Sequence, residues 1–259
     1  MHVVVVTKST PDTAAKVTVD GSGNVTWKEA MVINPWDEYS VTEAVLLKEA
    51  HNIKTTVLTV GEEAHNEAVK QGLAIGCDQG IRVWDSTLAN ADSLQYSRAV
   101  AAAVQKLGDV DLVIFGKEQA DTGTDQHVYQ VGRKLGWNVI GSVFKIQEID
   151  FAGKTIKVVR LVEQGKQVVA GKLPAVISVV KDINEPKYPS FMGIRKASKA
   201  EIPVWDGAAL GVDFGLPGVK VSAYQNPPER AGKVQMIDGD SADEKARKLV
   251  EKLFEDKVL

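Results

Sequence analysis

The segment best suited to binding a ligand follows the apolar run at 111–116. It reads Lys-Glu-Gln-Ala-Asp-Thr-Gly-Thr-Asp-Gln and leads into a helix-like stretch from His127. Gly123 permits tight backbone geometry, and Thr124 or Asp125 can cap the helix that follows. Because the free N–H groups of a helix's first turn attract an anion, the segment predicts a phosphate site. An ordinary capped turn without a ligand has the same sequence features.

A second ligand candidate is the segment 34–38, Asn-Pro-Trp-Asp-Glu, which comes just before another helix-like stretch. The Asn34 side chain can hydrogen-bond a ring or a ribose edge, and the Trp36 ring can stack on an aromatic ligand. Asn-Pro also starts plain turns, and Trp36 can simply pack against its neighbours. Taken alone, the segment favours the plain turn over the ligand contact.

The sequence offers no clear pattern for acid–base or covalent catalysis. Asp121, Asp125 and His127 are the plausible bases in the loops, and they have better roles as caps and contacts. No GxGxxG follows the first strand, and no glycine-rich segment has the spacing and the Ser or Thr of a P-loop. A nicotinamide dehydrogenase and a nucleoside triphosphatase both lose support.

Composition excludes several other classes. Cys77 is the single cysteine, which rules out an intrachain disulfide and suits a small core residue. The four histidines are scattered, so we expect no metal. The net charge of 31 − 34 = −3 gives no reason to expect nucleic-acid binding. No apolar run approaches the roughly 20 residues of a membrane span, and the first residues resemble a strand rather than a signal peptide, so we expect a cytoplasmic protein, or a mitochondrial matrix protein in a eukaryote.

Residues 179–197 read VVKDINEPKYPSFMGIRKA, in which an apolar strand gives way at Asp182 to a Pro-punctuated loop. One bulky apolar residue, Phe191, stands in this loop among basic residues. An apolar anchor with a charged rim is the composition of a protein interface, although a solvated basic face is the plain alternative. We expect a docking loop formed by Lys187, Tyr188, Pro189, Ser190, Phe191, Met192, Gly193, Ile194, Arg195 and Lys196.

Apolar runs and helix-like stretches alternate from residue 2 to about residue 145. The apolar runs predict strands at 2–7, 55–61, 80–85 and 111–116. Between them, apolar residues recur at three- and four-residue spacing, which predicts helices. The alternation predicts an α/β fold with a doubly wound, mostly parallel sheet of the Rossmann-like, nucleotide-binding type. Ligands of such sheets belong at the carboxyl ends of the strands.

The remaining segments modify this pattern. Residues 17–27 predict an inserted hairpin, and residues 145–170 suggest antiparallel strands followed by one strand buried on both faces. Beyond Pro186 the composition shifts to Pro, Gly, Lys and Asp until an amphipathic stretch near the end. We therefore predict a nucleotide-binding domain at 1–184, and at 185–259 a recognition loop with an extended C-terminal arm and a terminal helix that a partner subunit orders.

Six segments, in order, resemble the beta subunit of electron-transfer flavoproteins over nearly the whole chain. They are VVVVTK near the start, NPWDEYSVTEAVLLKE, GLAIGCDQGIRVW, GKEQADTGTDQ, KLPAVISVVKDINEPKYPSFMGIRKA, and GVD before the last segment. Their order and spacing are more specific than any one of them. The resemblance implies a heterodimer with an alpha subunit that carries the redox FAD, while the beta subunit holds a structural AMP.

The resemblance also implies the site residues. It puts AMP contacts at Val6, Asn34, Pro35, Trp36, Asp37, Val60, Gly116, Lys117, Glu118, Gln119, Ala120, Asp121, Thr122, Gly123, Thr124, Asp125, Gln126 and His127. Trp36 and Thr13 match two positions near the flavin ring, although the family often has Tyr where Thr13 stands. Asp125 departs from the family as well, because a carboxylate there repels a phosphate unless it caps the helix or faces away.

In this family the docking loop grips flavin dehydrogenases, such as those that oxidise acyl-CoA in fatty acid oxidation, and electrons pass on to a downstream acceptor. The resemblance thus implies an electron carrier rather than a catalyst with its own substrate. Two alternatives stay open. One is an electron-bifurcating form whose beta subunit binds a second FAD and oxidises NADH. The other is a free-standing nucleotide-binding module with a compact C-terminus.

Overall fold

The computed structural model describes residues 1–228, 232 and 234–258. Its strands, numbered in chain order, are β1 (His2–Thr7), β2 (Ser9–Pro11), β3 (Thr18–Val19), β4 (Val25–Thr26), β5 (Met31–Ile33), β6 (Lys54–Val60), β7 (Gln79–Val83), β8 (Leu112–Gly116), β9 (Asn138–Asp150), β10 (Thr155–Val162), β11 (Gly165–Lys172), β12 (Ala175–Val179) and β13 (Val204–Trp205). Its α-helices are α1 (Pro35–His51), α2 (Asn66–Ile75), α3 (Ser93–Leu107), α4 (His127–Leu135), α5 (Phe191–Ala197), α6 (Gly207–Leu210) and α7 (Ala242–Glu255).

The central sheet has nine strands in the order β11-β10-β9-β12-β8-β1-β6-β7-β13. Every pair from β9 to β13 in this order is parallel, whereas β10 pairs antiparallel with both of its neighbours. The middle strand β1 is buried along its whole length because helices cover both of its faces. The predicted doubly wound, mostly parallel α/β sheet is confirmed.

Alternate residues of β1 enter two separate cores. Val3 and Val5 pack with apolar side chains of α1 and α2, and Val4 and Val6 pack with those of α3 and α4. The strand period of two therefore divides the helices into two layers, one on each face of the sheet. The four predicted strands of this half, the inserted hairpin of β3 and β4, and the antiparallel strands β9 to β11 are all present.

The chain reverses its direction of travel across the sheet at β1. From β1 it passes to β6 and β7 on one side, and it then crosses to β8 on the other side of β1. The connections at the carboxyl ends of β1 and β8 consequently diverge to opposite faces and leave a crevice between them. This crevice is the topological switch point at which open α/β sheets bind their ligands.

Contacts within the chain divide it into two units, Met1–Tyr224 and Gln225–Leu259. The second unit contains α7, which matches the amphipathic stretch predicted near the end. The predicted arm from residue 185 that a partner orders stays a prediction. No helix among the described residues has both the length and the apolar character needed to cross a membrane.

Candidate functional site

A pocket opens at the switch point, between the carboxyl ends of β1 and β8 and beside the first turns of α1 and α4. It holds about 300 Å³ of empty space, part of which is open to solvent. Nine of the residues implied as nucleotide contacts line it: Val6, Asp37, Gly116, Lys117, Glu118, Gln119, Thr124, Asp125 and His127. The other nine lie outside its wall: Asn34, Pro35, Trp36, Val60, Ala120, Asp121, Thr122, Gly123 and Gln126.

Asp37 joins the two strand ends from the first turn of α1. Its carboxylate accepts a hydrogen bond from the Lys8 N–H at 2.9 Å and another from the Gly116 N–H. Burial raises the pKa of Asp37 to about 7, although the hydrogen bonds from Lys8, Asn34 and Gly116 oppose the rise. Close to neutral pH this buried carboxyl therefore changes its charge at the centre of the site.

Gly116 is needed for this close approach of α1 to β8. A Cβ atom at this position would lie 2.4 Å from Asp37 Oδ1 and 2.7 Å from the backbone carbonyl carbon of Trp36. Any larger residue would push the start of α1 away from the strand end.

Asn34 fixes the loop between β8 and α4 to the start of α1. Its Nδ2 group donates to the Glu118 carbonyl oxygen at 2.9 Å, and its Oδ1 atom accepts from the Ala120 N–H at 3.0 Å. Both polar groups of the buried Asn34 side chain are thus engaged with backbone. Its contact with a ring or a ribose stays a prediction.

The loop closes on itself before α4 begins. The Gln119 N–H donates to the Thr124 carbonyl oxygen at 3.0 Å, and Gly123 adopts a positive φ of 65° that suits glycine. The N-cap of α4 is Gln126, without a side-chain capping bond. The prediction that Thr124 or Asp125 caps this helix is wrong, because both precede the cap, and the Thr124 hydroxyl instead lies 2.9 Å from the Thr122 hydroxyl.

Some polar groups around the pocket have hydrogen-bond or ion-pair partners, and others do not. Lys8 Nζ lies 2.7 Å from Asp121 Oδ2 and 3.5 Å from Gln119 Oε1. The Thr7 hydroxyl oxygen is buried and has no hydrogen-bond partner in the described part of the chain. An unsatisfied buried hydroxyl in a pocket wall is expected where a ligand or a water supplies the partner. The exposed Asp125 carboxylate opposes an anion here.

His127 and Tyr96 form a stacked pair in the pocket wall, with ring centroids 4.2 Å apart. Burial lowers the pKa of His127 to about 4, and it raises the pKa of Tyr96 above its ordinary value. At neutral pH the imidazole is therefore neutral and the phenol is protonated. This pair offers a flat contact surface rather than an acid–base centre.

Sequence reasoning missed several residues of the wall. Lys8 directly follows β1, so its position after a predicted strand was the signal for it. Tyr96 lies on the first turn of α3, far along the chain from the other site residues, and its sequence context carries no signal. The missed lining residues are Thr7, Lys8, Tyr96, Phe115 and Val128.

The two residues matched to the flavin region lie in different surroundings. Trp36 is half-buried on the first turn of α1, and Lys117 Nζ stands 5.1 Å from the centre of its ring. Thr13 is exposed in the turn after β2. Their closeness to a flavin stays a prediction for both.

The predicted docking loop contains a helix. Residues Phe191–Ala197 form α5, whose first turn is capped by the Ser190 hydroxyl accepting from the Gly193 N–H at 3.0 Å. The docking role of this segment stays a prediction. The helix lies directly on α2, because a Cβ atom at Gly193 would come within 2.1 Å of the Ala74 carbonyl oxygen.

The chain leading into α5 is tied to α1. The Lys187 N–H donates to the Thr42 hydroxyl at 3.0 Å, and Asn184 Nδ2 donates to Glu43 Oε2 at 2.9 Å. This support leaves large apolar side chains in solvent: Tyr188 is 94% exposed, Phe191 80% and Met192 68%. Exposed apolar side chains on a well-supported backbone are typical of an interaction surface.

The fold and the pocket define a doubly wound α/β protein with a crevice at its switch point. A family model described as the electron transfer flavoprotein domain matches residues 25–210. The chain belongs to the electron transfer flavoprotein family. Membership of this family assigns it to flavoprotein electron transfer.

Individual relatives match over most of their length. The chain is 30% identical over 274 residues to the electron transfer flavoprotein subunit beta of Megasphaera elsdenii, covering 100% of both chains. It is 31% identical to Protein FixA of Azorhizobium caulinodans over 92% of this chain and 89% of that protein. It is 29% identical to the caffeyl-CoA reductase-Etf complex subunit CarD of Acetobacterium woodii, covering 100% of both.

Proposed function

We propose that this chain is the beta subunit of a heterodimeric electron-transfer flavoprotein that binds structural AMP in the pocket between β1 and β8. The observation that carries this proposal is the pocket at the switch point of a chain that belongs to this family. Similarity to beta subunits over the whole chain, including its C-terminal part, argues against a free-standing module.

The pocket suits a nucleotide for three physical reasons. Gly116 lets the first turn of α1 approach a strand end closely, the buried Thr7 hydroxyl lacks a partner among the described residues, and the Lys8 ammonium, which is paired with Asp121, brings a positive charge to the wall. The neutral His127 and Tyr96 rings add flat surface. Because Asp125 opposes a phosphate, the loop N–H groups and Lys8 must outweigh its repulsion.

In this proposal the alpha subunit holds most of the FAD, and bound FAD supplies the redox chemistry. The residues of this chain position the complex and control its electrostatics. Trp36 and Thr13 would lie near the flavin ring. Residues 187–196 would dock flavin dehydrogenases, with Phe191 as the apolar anchor and the basic side chains as the rim. Electrons would then pass to a downstream acceptor.

One test is the chemical identity of the bound nucleotides. The full chain is co-expressed with its alpha partner, and the nucleotides released from the purified heterodimer are identified by mass spectrometry. One FAD and one AMP per heterodimer are the expected result. A heterodimer that releases FAD but no second nucleotide would refute binding at the β1–β8 pocket.

A second candidate function is supported by the name of one relative. CarD is a subunit of a caffeyl-CoA reductase complex, and a reductase consumes electrons rather than delivering them. An electron-bifurcating form, in which this chain binds a second FAD and oxidises NADH, would provide such electrons. The same mass spectrum distinguishes the two candidates, because two FAD molecules without AMP support bifurcation.

A further inference from the structure

A buried arginine lies outside the pocket described above, near the carboxyl end of β7. Arg82 is only 9% exposed. Its Nη1 atom donates to the Gly61 carbonyl oxygen at 3.2 Å, and its buried Nε atom has no hydrogen-bond partner. Among the residues that the structure describes, no carboxylate lies within ion-pair distance of Arg82.

A buried guanidinium without a counter-ion is costly. Removing a charge from water is unfavourable unless a partner of opposite charge or a full set of hydrogen bonds replaces the lost hydration. Among the described residues, one hydrogen bond, to Gly61, satisfies one of the five N–H donors of the guanidinium. An anion that reaches the buried Nε–H would supply the partner that it lacks.

His65 supplies a second donor at this place. Its Nδ1 atom accepts a hydrogen bond from the Ser9 N–H at 3.2 Å. Burial lowers the pKa of His65 to about 4, and the charges of Lys8 and Arg82 also lower it. The ring is therefore neutral at pH 7 and carries its proton on Nε2, which has no protein partner in the described part of the chain.

The backbone brings these groups together. Gly61 follows β6, and a Cβ atom on it would lie 2.8 Å from His65 Nε2, so the Nε2 donor lies against the same residue whose carbonyl oxygen binds Arg82. Lys8 lines the nucleotide pocket, and its charge acts on His65. The donors thus lie at the carboxyl edge of the sheet, beside the pocket at β1 and β8.

We propose that Arg82 and His65 form an anion subsite for a phosphate group, at the carboxyl ends of β6 and β7. The planar guanidinium fork matches two phosphate oxygens, and the His65 Nε2–H donates to the phosphate without adding charge. The phosphate has two possible sources, which are free phosphate and a further phosphate of the nucleotide in the neighbouring pocket. Only the second source rests on the proposed function.

The test uses the full-length chain in its heterodimer, and two measurements distinguish the sources. Sodium phosphate is titrated while thermal unfolding is followed, with sodium chloride at equal ionic strength as the reference. Separately, ADP and AMP are titrated by calorimetry into heterodimer freed of its nucleotide. Arg82→Gln is compared with Arg160→Gln, because Arg160 on β10 also has a buried Nε without a partner.

Phosphate should raise the unfolding midpoint of the parent and of Arg160→Gln, with at least about tenfold weaker binding in Arg82→Gln. If the phosphate belongs to the nucleotide, ADP should instead bind more tightly than AMP, and Arg82→Gln should remove that difference. The proposal is overturned if phosphate leaves the unfolding midpoint of the parent unchanged and ADP binds the parent no more tightly than AMP does. It is also overturned if Arg82→Gln and Arg160→Gln behave alike. Should Arg82→Gln fail to fold, Arg82→Lys keeps the charge without the fork, and unchanged binding in that variant would overturn the proposal.

Discussion

At the scale of single residues, the centre of the site is a buried carboxyl that holds two strand ends together. Asp37 accepts hydrogen bonds from the backbone N–H groups of Lys8, which follows β1, and of Gly116, the last residue of β8. Both bonds favour the ionised form, whereas burial disfavours it more strongly. The residue that shapes the crevice is therefore also the one most sensitive to pH near neutrality.

The raised pKa of Asp37 predicts a specific dependence of stability on pH. Because the folded state binds this proton more tightly than the unfolded state does, the stabilisation is complete in acid and is lost as the pH rises from about 4 to about 7. Asp37→Asn should remove this contribution, whose slope is at most about 1.4 kcal/mol per pH unit. Denaturant unfolding of parent and variant from pH 4 to pH 8 measures the difference. Parallel curves would contradict the shift.

Gly116 gives a second prediction at this scale. Gly116→Ala places a methyl group against Asp37 and the backbone of Trp36, so it should destabilise the protein by about 1–3 kcal/mol and weaken nucleotide binding. Gly21→Ala is the matched control, because nothing lies within 4 Å of the position that its added methyl group would take, and it should change stability by less than about 0.5 kcal/mol. Equal effects in thermal unfolding would show that close approach at Gly116 is unimportant.

At the scale of secondary-structure elements, α1 serves two sites. Its first turn carries Asp37 into the pocket, and its flank receives Asn184 and Lys187 from the segment that leads to α5. Helix α5 then rests on α2 through Gly193. The β1–β8 pocket and the exposed apolar side chains are consequently held by the same layer of helices.

The proposed anchor role of Phe191 on α5 predicts that stability and electron transfer respond differently to its removal. Because Phe191 is 80% exposed, Phe191→Ala should leave the free energy of unfolding within about 0.5 kcal/mol of the parent. Loss of an interface anchor should slow reduction by the dehydrogenase at least about tenfold at low concentration. Val168→Ala, which removes a 57% exposed side chain on the edge strand β11, is the control. Unchanged reduction in Phe191→Ala would refute the docking role.

The sequence predicts most elements of this fold because hydrophobic periodicity reports burial directly. β1, β6, β7, β8 and the helices between them lie where apolar spacing indicates. Helix α5 escapes prediction because Pro189 precedes it and Gly193 interrupts it, and it is held by contact with α2 rather than by helix propensity. Tyr96 escapes for a related reason, since only the tertiary fold brings α3 to the pocket.

At the scale of the whole molecule, the second unit, Gln225–Leu259, differs from the first in how it covers its apolar residues. Among the residues described in this unit, none of the side chains of α7 is buried. Leu249 and Val250 are 47% and 46% exposed, and Phe254 is 62% exposed. Such a helix is stable in water only where another surface covers its apolar face. The proposed alpha subunit is the surface that would do so.

Phe254 therefore provides a test of the proposed heterodimer. Phe254→Ala should weaken association with the alpha subunit by about 1–3 kcal/mol, while nucleotide binding at the β1–β8 pocket stays unchanged. Lys245→Ala, an exposed change on the same helix that removes no large apolar side chain, should leave association within about 0.5 kcal/mol. Sedimentation of each variant with the alpha subunit measures its affinity for that subunit. Because burial of an apolar face depends on its apolar area, equal affinity in the two variants would mean that α7 does not lie against the alpha subunit.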